Sequence, residues 1–133
     1  MALHKVCDLK DDDLRRAVAM ALGWTVERET AHDDPTWRGD WCTTDPSGMP
    51  YSFSKYGFAP DLKWEQCGPI IAREMISLDY KIDGWDRETW RAQTITHVAV
   101  GQSRQGIGYG RTPLLAILRA VVSLRFGEEV ELP

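Results

Sequence analysis

The stretch Gly106-Ile107-Gly108-Tyr109-Gly110-Arg111-Thr112-Pro113 gathers the residue types most able to do chemistry in this chain. A glycine-rich turn that feeds a helix N-terminus offers free N–H groups and the positive end of the helix dipole. Arg111 and Arg104 add charge, and the Thr112 hydroxyl adds a donor. Gly108, Tyr109, Gly110, Arg111, Thr112 and Arg104 therefore form a candidate site for a phosphate or carboxylate. The spacing excludes a P-loop, which needs Gly-Lys-Ser/Thr. It does not make a dinucleotide turn either, because the glycines run GxGxG and no βαβ unit follows. The competing reading is a flexible connector whose last turn caps a core helix.

Arginine is concentrated around this motif. Residues 87–125 hold six arginines, no lysine and one acid, Glu88, within a chain of net charge −4. Arginine suits bidentate capture of phosphate or carboxylate better than lysine does. The acidic balance of the whole chain argues against duplex nucleic acid as a partner. Six tryptophans, Trp24, Trp37, Trp41, Trp64, Trp85 and Trp90, can fill a thin core or stack on a planar ligand. Trp64, ahead of Gly68-Pro69, and Trp90, beside Arg91, are the first choices for stacking. Arg73 and Arg91 are the accompanying cations.

Catalytic and metal signatures are weak. Cys7, Cys42 and Cys67 are far apart and form no CxxC pair, and His4, His32 and His97 are equally scattered. No metal and no cofactor is expected, and the thiols read as reduced. Ser52, Ser54 and Ser103 lack a nucleophile elbow. Glu65 and Glu74 read as a solvated helix face, and Asp83 and Asp86 as turn residues. The expectation is a protein that binds rather than catalyses.

The elements that must position these residues follow from periodicity. With 133 residues, 43% hydrophobic and 27% charged, the chain reads as one globular domain spanning residues 1–133. Leu14, Ala17, Val18, Ala21 and Leu22 make one stripe of a helix over 11–22. Asp11–Asp13 lie at its positive end, i,i+4 pairs join Asp11 to Arg15 and Asp12 to Arg16, and Gly23 stops it. Residues 24–29 alternate as a strand. Residues 30–50 read as a long loop or loose hairpin with a turn at Asp45-Pro46-Ser47-Gly48, ahead of a short strand at Tyr51 and Phe53. Asp61 can cap a helix that runs to Met75 and that Gly68-Pro69 should kink or restart. Residues 76–82 alternate, Asp83-Gly84 signals a hairpin, and Trp90, Ala92 and Thr94 share one face of the returning strand. Gly101–Gly110 reads as a glycine-rich loop. A final helix over 113–126 has Thr112 as N-cap, Pro113 at its first position and Gly127 as its stop. Its apolar residues leave a narrow polar strip of Thr112, Arg119 and Ser123, so protein should surround it, in the core or at a subunit interface. The order fits an α+β fold: a small antiparallel sheet packed by two to three helices.

Two segments carry a resemblance. PYSFSKYGFAPDLKWEQCGPIIARE and GRTPLLAILRAVVSLRFGEEVE resemble the NinX-like family of small phage and prophage proteins. The residues concerned are Tyr51 to Pro60, then Trp64-Glu65-Gln66-Cys67-Gly68-Pro69-Ile70-Ile71, then Gly110-Arg111-Thr112-Pro113-Leu114 through Phe126-Gly127. LRRAVAMALGW also looks like the family's opening helix. The stretches from Trp37 to Met49 and from Thr94 to Tyr109 depart from the pattern. The resemblance implies an α-β-α sandwich-like domain and a phage accessory protein of the bacterial cytoplasm. It brings no activity with it.

The leading expectation is a phage-encoded, non-enzymatic protein that binds a small anionic, nucleotide-derived ligand and sequesters a host immune signalling nucleotide. That role is an analogy with other small phage proteins. The alternative is an interaction module that binds a host defence or regulatory protein. No secretory signal and no membrane-length apolar run is visible, so the bacterial cytoplasm is the expected location. A homo-oligomer, most simply a dimer, is expected from the amount of apolar helix surface in so short a chain.

Overall fold

The computed structural model describes residues 2–28, 40–82, 88–99 and 102–133. Trp37, Trp85, Gly101 and the Asp83-Gly84 turn lie outside these residues. The fold is α+β: three helices and three small antiparallel sheets among the described residues. The antiparallel strands are thus divided, where one sheet is expected from sequence.

Strand β1 (Ala2–Lys5) pairs with β8 (Glu129–Leu132), Ala2 standing opposite Leu132. The sequence pattern assigns neither strand, because four residues are too few for a period of two to show. A 3-10 turn over Val6–Asp8 leads to helix α1 (Asp11–Ala21), which buries Leu14, Ala17, Val18 and Ala21. Gly23 follows with φ of 81°. Strands β2 (Thr25–Arg28), β3 (Trp41–Thr44) and β4 (Pro50–Ser52) form a meander. Its β3–β4 turn is built on Asp45, whose Oδ1 accepts the N–H groups of Ser47 and Met49, both at 2.9 Å. The Ser47 hydroxyl, first, and then these N–H groups hold the Asp45 carboxyl below its ordinary value.

Helix α2 covers Trp64–Glu74. Four expectations change here. Asp61 does not cap it. Its carboxylate instead takes both Nε and Nη2 of Arg15, at 2.7 and 3.0 Å, while Nη1 of Arg15 donates to the Phe53 carbonyl. Arg15 is therefore buried and does not pair with Asp11 on a wet face. Arg16 pairs with Asp12 as expected and with Asp13 as well, but its side chain is only 11% exposed and so does not lie on a wet face. Gly68-Pro69 does not interrupt α2, which runs through Pro69 to a left-handed Met75 at φ 51°. Glu74 is not solvated either. It is buried, 3.3 Å from Arg125, and its carbonyl accepts the buried Thr94 hydroxyl.

Strands β5 (Ser77–Ile82), β6 (Glu88–Ala99) and β7 (Gln102–Gly110) make the third sheet, in that order. Ala92 and Thr94 are buried, as their alternation predicts. The expected glycine-rich loop is strand β7, and the physical reason is helix α3 (Pro113–Phe126), which lies directly on it. A Cβ on Gly106 would stand 2.2 Å from the Ala120 carbonyl oxygen, and one on Gly108 the same distance from that of Ala116. Two residues of strand advance about 6.8 Å and four of helix about 6 Å, so alternate glycines keep step with Ala116, Ala120 and Leu124. Glycine here permits contact of main chain with main chain.

Helix α3 is the centre of the molecule. β6 and β7 cover one side of it, and α1, α2, β8 and the 3-10 turn approach from others. Eight of its residues from Leu114 to Leu124 are buried. Its nearly continuous apolar surface is thus enclosed within the chain. Thr112 caps it, Oγ1 accepting the Leu115 N–H at 3.2 Å, and Gly127 closes it at φ 82°. Among the described residues no helix is long and apolar enough to cross a membrane.

Candidate functional site

The residues expected to form one site are distributed over three places. Register sets Trp90 opposite Gly110 and Arg91 opposite Tyr109 across the β6–β7 ladder. Alternation then separates them: Trp90 and Gly110 lie on the face towards α3, Arg91 and Tyr109 on the other. Trp90 packs against the core, its ring 5.0 Å from that of Tyr80. Arg91 lies 4.0 Å from Asp79 on the neighbouring strand. Arg104 is six residues from Gly110 along an extended strand, roughly 20 Å, so it does not converge with Arg111.

The start of α3 is closely engaged. Pro113 has no N–H, and the amides of Leu115 and Ala116 both donate to Thr112. Arg111 is exposed. Gly108 and Gly110 are pressed against α3 and do not wrap around an open space on that side. At the Gly110–Thr112 corner the strand runs directly into the capped helix, and Arg111 is exposed beside it.

Two clefts take in Arg73 in one case and Gly108 and Tyr109 in the other. The smaller, about 310 Å³, lies between α2 and the aromatic cluster of Trp24, Tyr51 and Phe58. Gln66, Pro69, Ile70 and Arg73 line it, at i, i+3, i+4 and i+7 on one face of α2. Pro69 thus presents its ring to the cleft. Trp24 stacks 6.3 Å from Tyr51 at an interplanar angle of 21° and lies 4.9 Å from Phe58. Gln66 fixes the wall by accepting the Ala59 N–H at 2.7 Å and donating to the Gly57 carbonyl at 2.8 Å. Arg73 stands at the rim with its side chain 56% exposed, its Nε 3.8 Å from Glu74. Trp64 is nine residues from Arg73, about half a turn round the helix, so it faces away and is exposed. The tryptophan that shares this cleft with Arg73 is Trp24, not Trp64. Tyr51 and Phe58 complete the cluster, and their separation along the chain from Trp24 hides it from a sequence reading.

The larger cleft, about 610 Å³, runs along β7. Gln105, Ile107, Gly108 and Tyr109 form one wall and Lys5, Val6 and Cys7 another, with Arg119 and Ser123 of α3 also lining it. Arg119 donates twice to the Leu9 carbonyl and once, at 2.8 Å, to the Tyr109 carbonyl. Burial lowers its pKa, while Cys7 and Asp8 act the other way, and it remains a cation. Sequence reasoning places Arg119 in the polar strip of α3 without assigning it a role. Its isolation in the most apolar helix was the available signal. A third cleft, about 410 Å³, contains Trp41, with the guanidinium groups of Arg16 and Arg28 at 5.2 and 4.7 Å from its ring. Among the described residues no group of three or more His, Cys, Asp or Glu gathers at metal-binding distance.

Set against known protein families, the chain matches one described as Bacteriophage P22, NinX, over residues 5–125. No curated protein matches it.

Proposed function

The chain belongs to the bacteriophage P22 NinX family, and on that premise we propose that it is a phage-encoded binding protein for a small, planar, anionic ligand of nucleotide type. One observation carries this reading: the cleft that sets the Trp24–Tyr51–Phe58 cluster against the Arg73 face of α2. Aromatic faces accept a base by stacking, and an arginine at the rim accepts a phosphate by charge-assisted hydrogen bonds. The Gln66 clamps hold the wall in place before a ligand arrives, which lowers the ordering cost of binding. A phage accessory protein of this kind would act by holding a host signalling nucleotide out of circulation in the bacterial cytoplasm.

The test is thermal shift and calorimetry with adenosine, AMP, ADP-ribose and cyclic dinucleotides, alongside absorbance of material released by denaturing the protein purified from bacteria. Binding of a phosphorylated member over adenosine, lost by roughly 10- to 150-fold in Arg73→Gln, supports the reading. Absence of binding by every nucleotide, or binding indifferent to Arg73, overturns it.

A further inference from the structure

We propose that the free edge of β7 is a docking site for an extended peptide segment bearing an acidic residue, supplied by a protein partner. This goes beyond the ring-lined cleft and does not depend on it. The third sheet ends at β7 among the described residues. The direction of its main-chain groups follows from two contacts. The Gly110 carbonyl accepts the hydroxyl of Thr89, on β6, and so points inward. The Tyr109 carbonyl accepts Arg119 from the opposite side and so points outward. Main-chain polar groups alternate along an antiparallel strand, so Ile107 and Gln105 present N–H and C=O outward with Tyr109. These three residues line the 610 Å³ cleft. Outward-facing edge groups of this kind are a template for one more strand.

A second wall, at Lys5–Cys7, faces the edge across the cleft. Charge selects the occupant. At the Tyr109 end stands Arg119, held by carbonyl oxygens and with no carboxylate within 4.0 Å among the described residues. Gly127, Glu128 and Glu129, which follow the C-terminal end of α3, line the cleft as well. Every ladder in this fold is antiparallel. A segment added in the same sense spans Gln105–Tyr109, roughly 14 Å, with its first residues beside Arg119. A carboxylate there completes a charge-assisted pair.

The probe is the blocked peptide acetyl-Asp-Thr-Val-Thr-Val-amide, titrated into the full chain and followed by amide NMR. Shift changes centred on Gln105–Tyr109 are expected. A peptide with Lys for Asp should bind about tenfold or more weakly. Methylation of alternate peptide nitrogens should abolish binding in one phase and spare it in the other. Hydrogen exchange without peptide should leave the Ile107 amide fast while the Gly108 amide is protected. A protected Ile107 amide, no saturable binding at millimolar peptide, shifts centred elsewhere, or loss of the free edge to a dimer in sedimentation would each overturn the proposal.

Discussion

Gly108 and Ala116 meet main chain to main chain: a methyl group on Gly108 would stand 2.2 Å from the Ala116 carbonyl oxygen and 2.4 Å from the Ala120 amide nitrogen. Gly108→Ala must push α3 from the sheet or distort β7, an overpacking that costs at least about 1–3 kcal/mol. Gly68 in α2 is the contrast, with nothing beyond its chain neighbours within 4 Å of a Cβ. Gly68→Ala gains helix propensity but sets a Cβ against the Pro69 ring, so a net change within about 1 kcal/mol is expected. Urea denaturation should lower the midpoint clearly for Gly108→Ala and move it far less for Gly68→Ala.

Thr43 is fully buried, and its hydroxyl has no hydrogen-bond partner among the described residues. Thr43→Val keeps the branched shape and removes the orphan group. A gain of about 1 kcal/mol is expected, where a satisfied hydroxyl would give a loss. Thermal unfolding of this single variant decides the sign.

Arg15 and Asp61 pair bidentately with both side chains only 10% exposed. Removing one charge strands the other, so Asp61→Asn should cost about 3–5 kcal/mol. Asp12→Asn weakens a pair whose aspartate is half exposed, and Arg16 keeps Asp13 at 2.6 Å, so the loss should stay within roughly 1 kcal/mol. Equal losses in chemical denaturation would show that burial of the first pair is unimportant.

Burial pushes the Cys67 thiol up to about 12 from an ordinary value of 9.0. The folded state then retains a proton that the unfolded chain releases, so stability falls as pH rises from about 9 towards 12. The slope approaches roughly 1.4 kcal/mol per pH unit. Cys67→Ala should remove this component, seen as a flatter difference curve against the parent. In native protein at pH 8, alkylation should mark exposed Cys7 and leave Cys67 intact.

Thr112 and Arg111 separate capping from ligand binding. Thr112→Ala should lose about 1 kcal/mol of stability and Thr112→Ser almost none. Arg111→Ala should leave the melting temperature within a degree or so of the parent, since Arg111 is exposed. If Arg111→Ala, and not Arg73→Gln, weakens nucleotide binding, the α3 N-terminus is the site after all.

Local signals were readable wherever one segment explains itself. The stripes of α1 and α3, the Thr112 cap, the stops at Gly23 and Gly127 and the buried face of Ala92 and Thr94 all come from neighbours a few residues apart. What failed depends on pairs of distant segments. The glycines of β7 look like a loop until Ala116 and Ala120 are set against them. Asp61 resembles a cap until Arg15, 46 residues away, claims both its oxygens. Glu74 resembles a surface acid until Arg125 reaches it. The site follows the same rule: Arg73 is visible as a spare cation, whereas Trp24 joins it only through Tyr51 and Phe58. Self-association is expected from the amount of apolar helix surface in so short a chain, of which the part on α3 is covered by the chain's own β6, β7 and α1. Sedimentation at micromolar concentration tests it directly.

The contact between β7 and α3 also sets an order of events in time. Three glycines within five residues carry an entropic cost of roughly 0.5–1 kcal/mol each relative to alanine. β7 on its own has little tendency to extend, and a strand without side chains on one face has nothing to nucleate with. Helix α3 has strong local formers, a cap and a stop, and needs no distant partner to begin. The chain should therefore cross its folding barrier with α3 formed and β7 not yet laid down. Substitutions in α3 then slow folding, with φ-values towards 1, and those in β7 speed unfolding, with φ-values near 0. The half of the molecule that holds the free sheet edge is, on this account, the last to assemble and the first to leave.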